Sequence, residues 1–178
     1  GNLPESVELT IANRVYIKTD ILPSVLMNQL KRLAAFQNPE FYRRQSLRLS
    51  TSLTPRVICC SEITDGYLSL PRGCLDDISC VLSEYGIKTN IKDERITGKA
   101  KRFRFHGKLT KEQKAVVRKI LSSENGVLSA SPGTGKTVIA IYAIAKRKTN
   151  TLILVHRKPL LEQWRRQLSD FLGLNSDK

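Results

Sequence analysis

Residues 126–140 read Gly-Val-Leu-Ser-Ala-Ser-Pro-Gly-Thr-Gly-Lys-Thr-Val-Ile-Ala, and this stretch constrains the fold more than any other part of the chain. Val127 and Leu128 begin a short apolar strand, a loop of small residues follows, and Gly135-Lys136-Thr137 opens an apolar helix. A strand that turns through glycines into a helix aims successive backbone N–H groups, and the positive end of the helix dipole, at one point that suits a phosphate chain. Ser131, Gly133, Thr134 and Gly135 form the cradle. Lys136 is placed to reach the terminal phosphates, and the Thr137 hydroxyl to ligate Mg²⁺. The usual pattern starts with Gly where this chain has Ala130, a mild change because a small side chain still permits the turn.

The chain has 178 residues, 40% of them hydrophobic, enough to bury a core in one large or two small domains. Its net charge is +14. Up to Lys108 there are 17 basic and 11 acidic residues, a net +6, and after it 13 and 5, a net +8. Both halves are basic, which favours a polyanionic partner, nucleic acid before anionic membrane. Cys59, Cys60, Cys74 and Cys80 form no Cys-x-x-Cys pair, and His106 and His156 lie at no finger-like spacing, so reduced cysteines are expected rather than a zinc site. No run approaches the roughly 18 apolar residues of a membrane helix. No signal peptide precedes the first strand, and a cytoplasmic location is expected.

Taken in order, Val7, Leu9 and Ile11, then Val15 and Ile17, alternate with polar residues as a β-hairpin does. Asp20 or Ser24 is a candidate cap for a helix carrying Val25, Leu26, Leu30 and Leu33, and Asn38-Pro39 starts a short helix made basic by Arg43, Arg44 and Arg48. Strands are expected at 56–60, across a tight turn at Asp65-Gly66, and at 87–91, with a helix through Leu75, Ile78, Val81 and Leu82 ended by Gly86. Asp76-Asp77 open that helix, where acidic residues complement the dipole. Arg102-Phe103-Arg104-Phe105 reads as a connecting strand. Either its aromatics turn inward from a solvated edge, or its arginines sit on nucleic-acid phosphate. Thr110 and Gln113 form a capping box before a helix through Val116, Val117, Ile120 and Leu121. Thr151–Val155 is the nearly unbroken apolar run of a strand buried on both faces of a parallel sheet, and His156-Arg157-Lys158-Pro159 leads into a last amphipathic helix with Trp164 on its core side. The fold class expected is α/β: a small α+β module over residues 1–108, then the start of a doubly wound, phosphate-loop parallel sheet over 109–178.

These motifs resemble a family. Leu109-Thr110-x-x-Gln113 ahead of Ala-x-x-x-x-Gly-Lys-Thr, followed by Thr151-Leu-Ile-Leu-Val-His156-Arg157-x-x-Leu160-Leu161-x-Gln163-Trp164, is similar to the first RecA-like domain of superfamily 2 helicases, in the XPB-type and restriction-enzyme-type branch. The segments Leu33–Tyr42 and Leu70–Asp77 further resemble the region before the helicase core in bacterial TOTE conflict systems. The resemblance implies ATP and Mg²⁺ as cofactors, Gln113 as the residue contacting adenine, and His156-Arg157-Lys158 as the motif touching a nucleic-acid backbone. Its implied partner is DNA in preference to RNA. Arg43, Arg44, Arg102 and Arg104 are added from their basic surroundings.

After Thr137 no apolar strand ends in the paired carboxylates that hold Mg²⁺ and orient water, and no arginine finger is recognisable. The expectation is therefore an N-terminal fragment of an ATP-dependent helicase or translocase. It would bind nucleotide without turning it over, and its incomplete sheet would leave an edge open to self-association. The competing expectation is a non-catalytic basic interaction module in a defence or phage-encoded complex.

Overall fold

The computed structural model describes residues 3–174. The chain divides into two compact units, one running to Ile96 and the other starting at Thr97. The division falls before the Lys108/Leu109 boundary read from the sequence. Phe103 and Phe105 pack into the second unit's core, and the Lys101 and His106 N–H groups donate to the carbonyls of Lys148 and Phe171, each at 2.8 Å.

The first unit contains β1 (Ser6–Ile11), β2 (Val15–Lys18), α1 (Ser24–Leu33), β3 (Ala35–Gln37), α2 (Pro39–Ser46), β4 (Val57–Cys59), β5 (Glu62–Thr64), β6 (Tyr67–Leu70), α3 (Leu75–Glu84) and β7 (Lys88–Asp93). A five-stranded sheet runs in the order β5-β6-β2-β1-β7. Neighbours are antiparallel except β1 and β7, which pair in parallel from Ser6↔Lys88 to Ile11↔Asp93. The alternation along β1 and β2 buries Val7, Leu9, Ile11, Val15 and Ile17, and Val7, Leu9, Val15 and Ile17 pack with Leu26 and Leu30 of α1 and Ile78, Val81 and Leu82 of α3. Each such side chain stabilises by about 1.5–3 kcal/mol relative to exposure. The β5–β6 turn puts Asp65 (φ 52) and Gly66 (φ 78) both in the left-handed region, as a two-residue hairpin turn requires. Gly86 (φ 72) ends α3 in a Schellman arrangement, its N–H donating to Ser83 and that of Ile87 to Leu82.

Two local readings need correction. Pro23, without a side-chain cap, precedes α1, so neither Asp20 nor Ser24 caps it, and Ser24 is the first helical residue. The three-residue β3, paired with β4, was not anticipated, since Ala35–Gln37 is too short to show a period.

The second unit holds α4 (Lys111–Leu121), α5 (Lys136–Arg147) and α6 (Lys158–Leu172). Leu109, Val117 and Ile139 form one cluster, and Ile141, Ala145 and Leu172 another. Phe105 joins both, edge-on to Tyr142 (centroids 5.0 Å apart) and stacked on Phe171 (5.4 Å). Trp164 packs into the second cluster, as its helical register requires. The strands expected at Val127-Leu128 and Thr151–Val155 do not form. Among the described residues of this unit the β pairing is an isolated Ala100–Thr149 bridge. An apolar run becomes a strand only when a neighbouring backbone takes its N–H and C=O groups, and here Val127, Leu152 and Leu154 are 96%, 81% and 84% exposed. Residues 102–105 form no strand either. Their phenylalanines turn inward and Arg102 and Arg104 stay exposed.

Candidate functional site

The loop ahead of α5 is shaped by two glycines. Gly133 (φ 83) and Gly135 (φ 78) lie in the left-handed region that residues with a Cβ avoid. Gly135 is also the N-cap of α5, and no side chain caps that end of the helix. The orphan N–H groups and positive dipole end of α5 are therefore left for an external acceptor.

The loop's side chains fold back on its own carbonyls. Lys136 Nζ donates to Ala130 O at 2.7 Å and Ser131 O at 2.9 Å, and Thr134 Oγ1 donates to Ser131 O at 2.9 Å. Gln113 reaches the loop from α4, its Nε2 donating to Thr134 O at 3.1 Å. The other end of the same amide accepts from the Thr110 N–H at 3.1 Å, completing the capping box in which the Gln113 N–H donates to Thr110 Oγ1 at 3.2 Å. A Cβ on Gly135 would lie 2.7 Å from Gln113 Nε2, so the glycine admits the glutamine as well as the turn. Thr137 stands half-buried in the first turn of α5.

The loop and the first turn of α5 carry backbone donors, the Lys136 ammonium and the hydroxyls of Ser129, Ser131, Thr134 and Thr137, with no carboxylate, a donor set that suits an oxyanion. Among the described residues no group of three or more His, Cys, Asp or Glu side chains is placed to hold a metal ion. An apolar groove of about 610 Å³ between α4 and α5 is lined by Val116, Ile120, Val127, Leu128 and Ile144, and it includes none of the loop residues 129–137.

Seven residues read from the sequence thus come together: Gln113, Ser131, Gly133, Thr134, Gly135, Lys136 and Thr137. His156 and Arg157 are exposed before α6, with Arg157 its N-cap and Lys158 its first residue. Arg43 and Arg44 belong to α2 in the first unit. Arg43 pairs with Glu40 at 3.5 Å, and Arg44 Nε donates to Ser50 O at 2.7 Å, which makes Arg44 a tie within the α2–β4 loop. Sequence reasoning missed the Gln113–Thr134 contact, because a capping box already accounted for that glutamine. It also missed Arg56, whose guanidinium bonds the Tyr42 hydroxyl at 3.2 Å.

The cysteines take ordinary roles. Burial pushes the Cys74 thiol up, and the Ser61 hydroxyl lowers that of Cys59.

Comparison with known proteins places these features. Residues 106–178 match the family described as "Type III restriction enzyme, res subunit". The chain is 33% identical over 174 residues to a putative DNA 3'-5' helicase Rad25 of Haloarcula marismortui, covering 86% of this chain and 28% of that protein. It is 40% identical over 73 residues to putative helicase 109L of Invertebrate iridescent virus 3, covering 39% of this chain and 22% of the relative. The likeness is to helicases. The helicase likeness extends to the fold: the UvsW helicase of bacteriophage T4 superposes with a TM-score of 0.59 at 15% identity, over 93% of this chain and 64% of that one. The mixed α/β class with a parallel strand pair agrees with that neighbour. The chain spans about a quarter of the length of the curated relatives it matches.

Proposed function

We propose that the chain is the nucleotide- and nucleic-acid-binding portion of an ATP-dependent superfamily 2 DNA helicase or translocase of the restriction-enzyme and XPB-like branch, resembling the helicase of bacterial TOTE conflict systems. The observation that carries this reading is the loop itself. Two left-handed glycines open onto the uncapped N-terminus of α5 while Lys136 lies across the loop. Bound Mg²⁺-ATP would supply a phosphoanhydride and a charge-neutralising cation. The chain's own residues do the rest. Lys136 exchanges its Ala130 and Ser131 carbonyls for phosphate oxygens, the loop and first-turn N–H groups hold the same chain of charges, Thr137 offers a hydroxyl to the cation, and Gln113 offers its amide to the adenine edge. His156, Arg157 and Lys158 contact the backbone of a strand. Beyond Thr137 the acidic residues are Glu162, Asp170 and Asp177, no two of them adjacent in sequence, so this stretch offers no carboxylate pair to hold the cation and orient water, and the chain binds nucleotide without turning it over.

Anisotropy of labelled single- and double-stranded DNA, with RNA of the same sequence alongside, tests the nucleic-acid half. Saturable binding that weakens steeply with salt is expected, tighter for DNA. No binding at low ionic strength overturns it. A second reading, a basic interaction module that associates with itself or with subunits of a defence or phage-encoded complex, is favoured by the exposed apolar runs at Val127 and Leu152–Leu154. Sedimentation of the chain tests the self-association arm, since a monomer at micromolar concentration argues against it, and retained nucleic-acid binding by that monomer favours the first reading.

A further inference from the structure

Charge is unevenly distributed in the first unit. Residues 21–61 hold six basic side chains (Lys31, Arg32, Arg43, Arg44, Arg48 and Arg56) and one acidic, Glu40, a net +5. The rest of the unit to Ile96 holds six basic and ten acidic residues, a net −4. The unit as a whole is barely positive, yet one excursion from its sheet is strongly so. After α1, which packs on the sheet and carries Lys31 and Arg32, that excursion comprises β3, α2, the loop 47–56 and β4, with the other four basic residues and the one acid.

The excursion is also built to display its residues. No residue of α2 is buried, and Leu47, Leu49 and Leu53 stand exposed, Leu53 at 97%. The loop is nonetheless tied down. Arg44 holds the Ser50 carbonyl at 2.7 Å. The buried Asn38 donates from its side chain to Pro55 O at 2.8 Å and from its backbone to Arg56 O at 2.9 Å. Arg48 takes a left-handed backbone (φ 55) that a residue with a Cβ adopts only at a cost. Arg56 lies 6.0 Å over the Tyr42 ring, which orients its guanidinium, and Arg43 meets Glu40 in an exposed ion pair, a weak tie.

We propose that this excursion is the first unit's docking surface for a nucleic-acid backbone, with Arg43, Arg48 and Arg56 on phosphates. The proposal rests on the nucleic-acid reading above and names where the first unit makes that contact. Guanidinium forks match phosphate geometry, and the hydroxyls of Ser50, Thr51 and Ser52 in the same loop are the further donors such contacts use. The exposed leucines beside them add apolar surface for sugars or base faces. A single acid in 41 residues leaves little to repel a polyanion.

The test is anisotropy of labelled single strand and duplex against the whole chain over a range of salt, comparing two charge-matched variants whose folding is checked by thermal melting. One is Arg43→Gln/Arg48→Gln/Arg56→Gln. The other is Lys18→Gln/Lys88→Gln/Lys92→Gln, on the five-stranded sheet. The arginine triple is expected to bind at least about tenfold more weakly at low salt, with the log–log salt slope shallower by roughly 2–3, while the lysine triple stays within about twofold of the parent. Equal losses in both variants overturn the proposal, because net charge alone then explains them. An unchanged slope in the arginine triple overturns it too, and leaves the nucleic-acid reading standing on the second unit. Loss of binding to poly-glutamate with nucleic-acid binding retained overturns it in favour of an acidic protein partner. If the parent chain binds no nucleic acid, the broader reading falls and the proposal with it.

Discussion

Gln113 uses both ends of one amide, accepting from the N-cap of α4 and donating to the phosphate loop, so a change at the loop is felt at the helix. The two loop glycines separate backbone strain from this contact. Gly133→Ala meets open space and pays only for its φ of 83, whereas Gly135→Ala also crowds Gln113 Nε2. Each is expected to cost about 1–2 kcal/mol in thermal or urea unfolding, but only Gly135→Ala should release the Gln113 amide, visible as a shifted side-chain NH₂ resonance. An unmoved resonance would contradict the contact.

Asp93 supplies a pH reading. Its hydrogen bonds from Arg95 lower its carboxyl from 3.8 to about 2. The ionised carboxylate therefore keeps its bond to Arg95 until pH falls to about 2, and the stability this pairing contributes is fully present above about 3.8 and lost as pH falls from there to about 2. NMR titration of Asp93 should find that low midpoint, and Arg95→Gln should return it to the ordinary carboxylate range. The loop was legible at this scale because a phosphate cradle needs particular residue types at fixed spacing. The Gln113–Thr134 and Arg44–Ser50 bonds were not, because they join residues whose neighbourhood only the folded chain decides.

Helices and hairpins follow from local chemistry, and their ends can be tested one residue at a time. Thr110→Ala removes the acceptor for the Gln113 N–H and is expected to cost about 1 kcal/mol. Lys148 ends α5 with φ 55, so Lys148→Gly is expected to stabilise by up to about 1 kcal/mol by chemical denaturation. The two elements the sequence misjudged share one cause. Val127-Leu128 and Thr151–Val155 have the composition of buried strands, yet a strand is a relation between two backbones, and no described neighbour pairs with either. Where the partner lies close in sequence, as Tyr67–Leu70 does to Glu62–Thr64 across Asp65-Gly66, the same kind of reasoning succeeded.

The molecule as a whole consists of a first unit with a finished sheet and core, and a second unit whose helices are packed but whose apolar runs leave Val127, Leu152 and Leu154 in solvent. Amide exchange should register the contrast. Protection is expected along β1, β2 and β6, and near-intrinsic exchange at residues 127–131 and 151–155. Strong protection in those two segments would mean they pair with something, a second copy included.

The central claim, that the loop before α5 is a nucleotide phosphate site, is tested most directly by titrating the chain with Mg²⁺-ATP in a calorimeter beside its Lys136→Ala variant. Lys136 bonds only carbonyls of its own loop, so the variant should fold with an unchanged melting temperature. Saturable, single-site, Mg²⁺-dependent binding is expected for the parent chain and none for the variant. Equal binding by both, or none by either, would contradict the account.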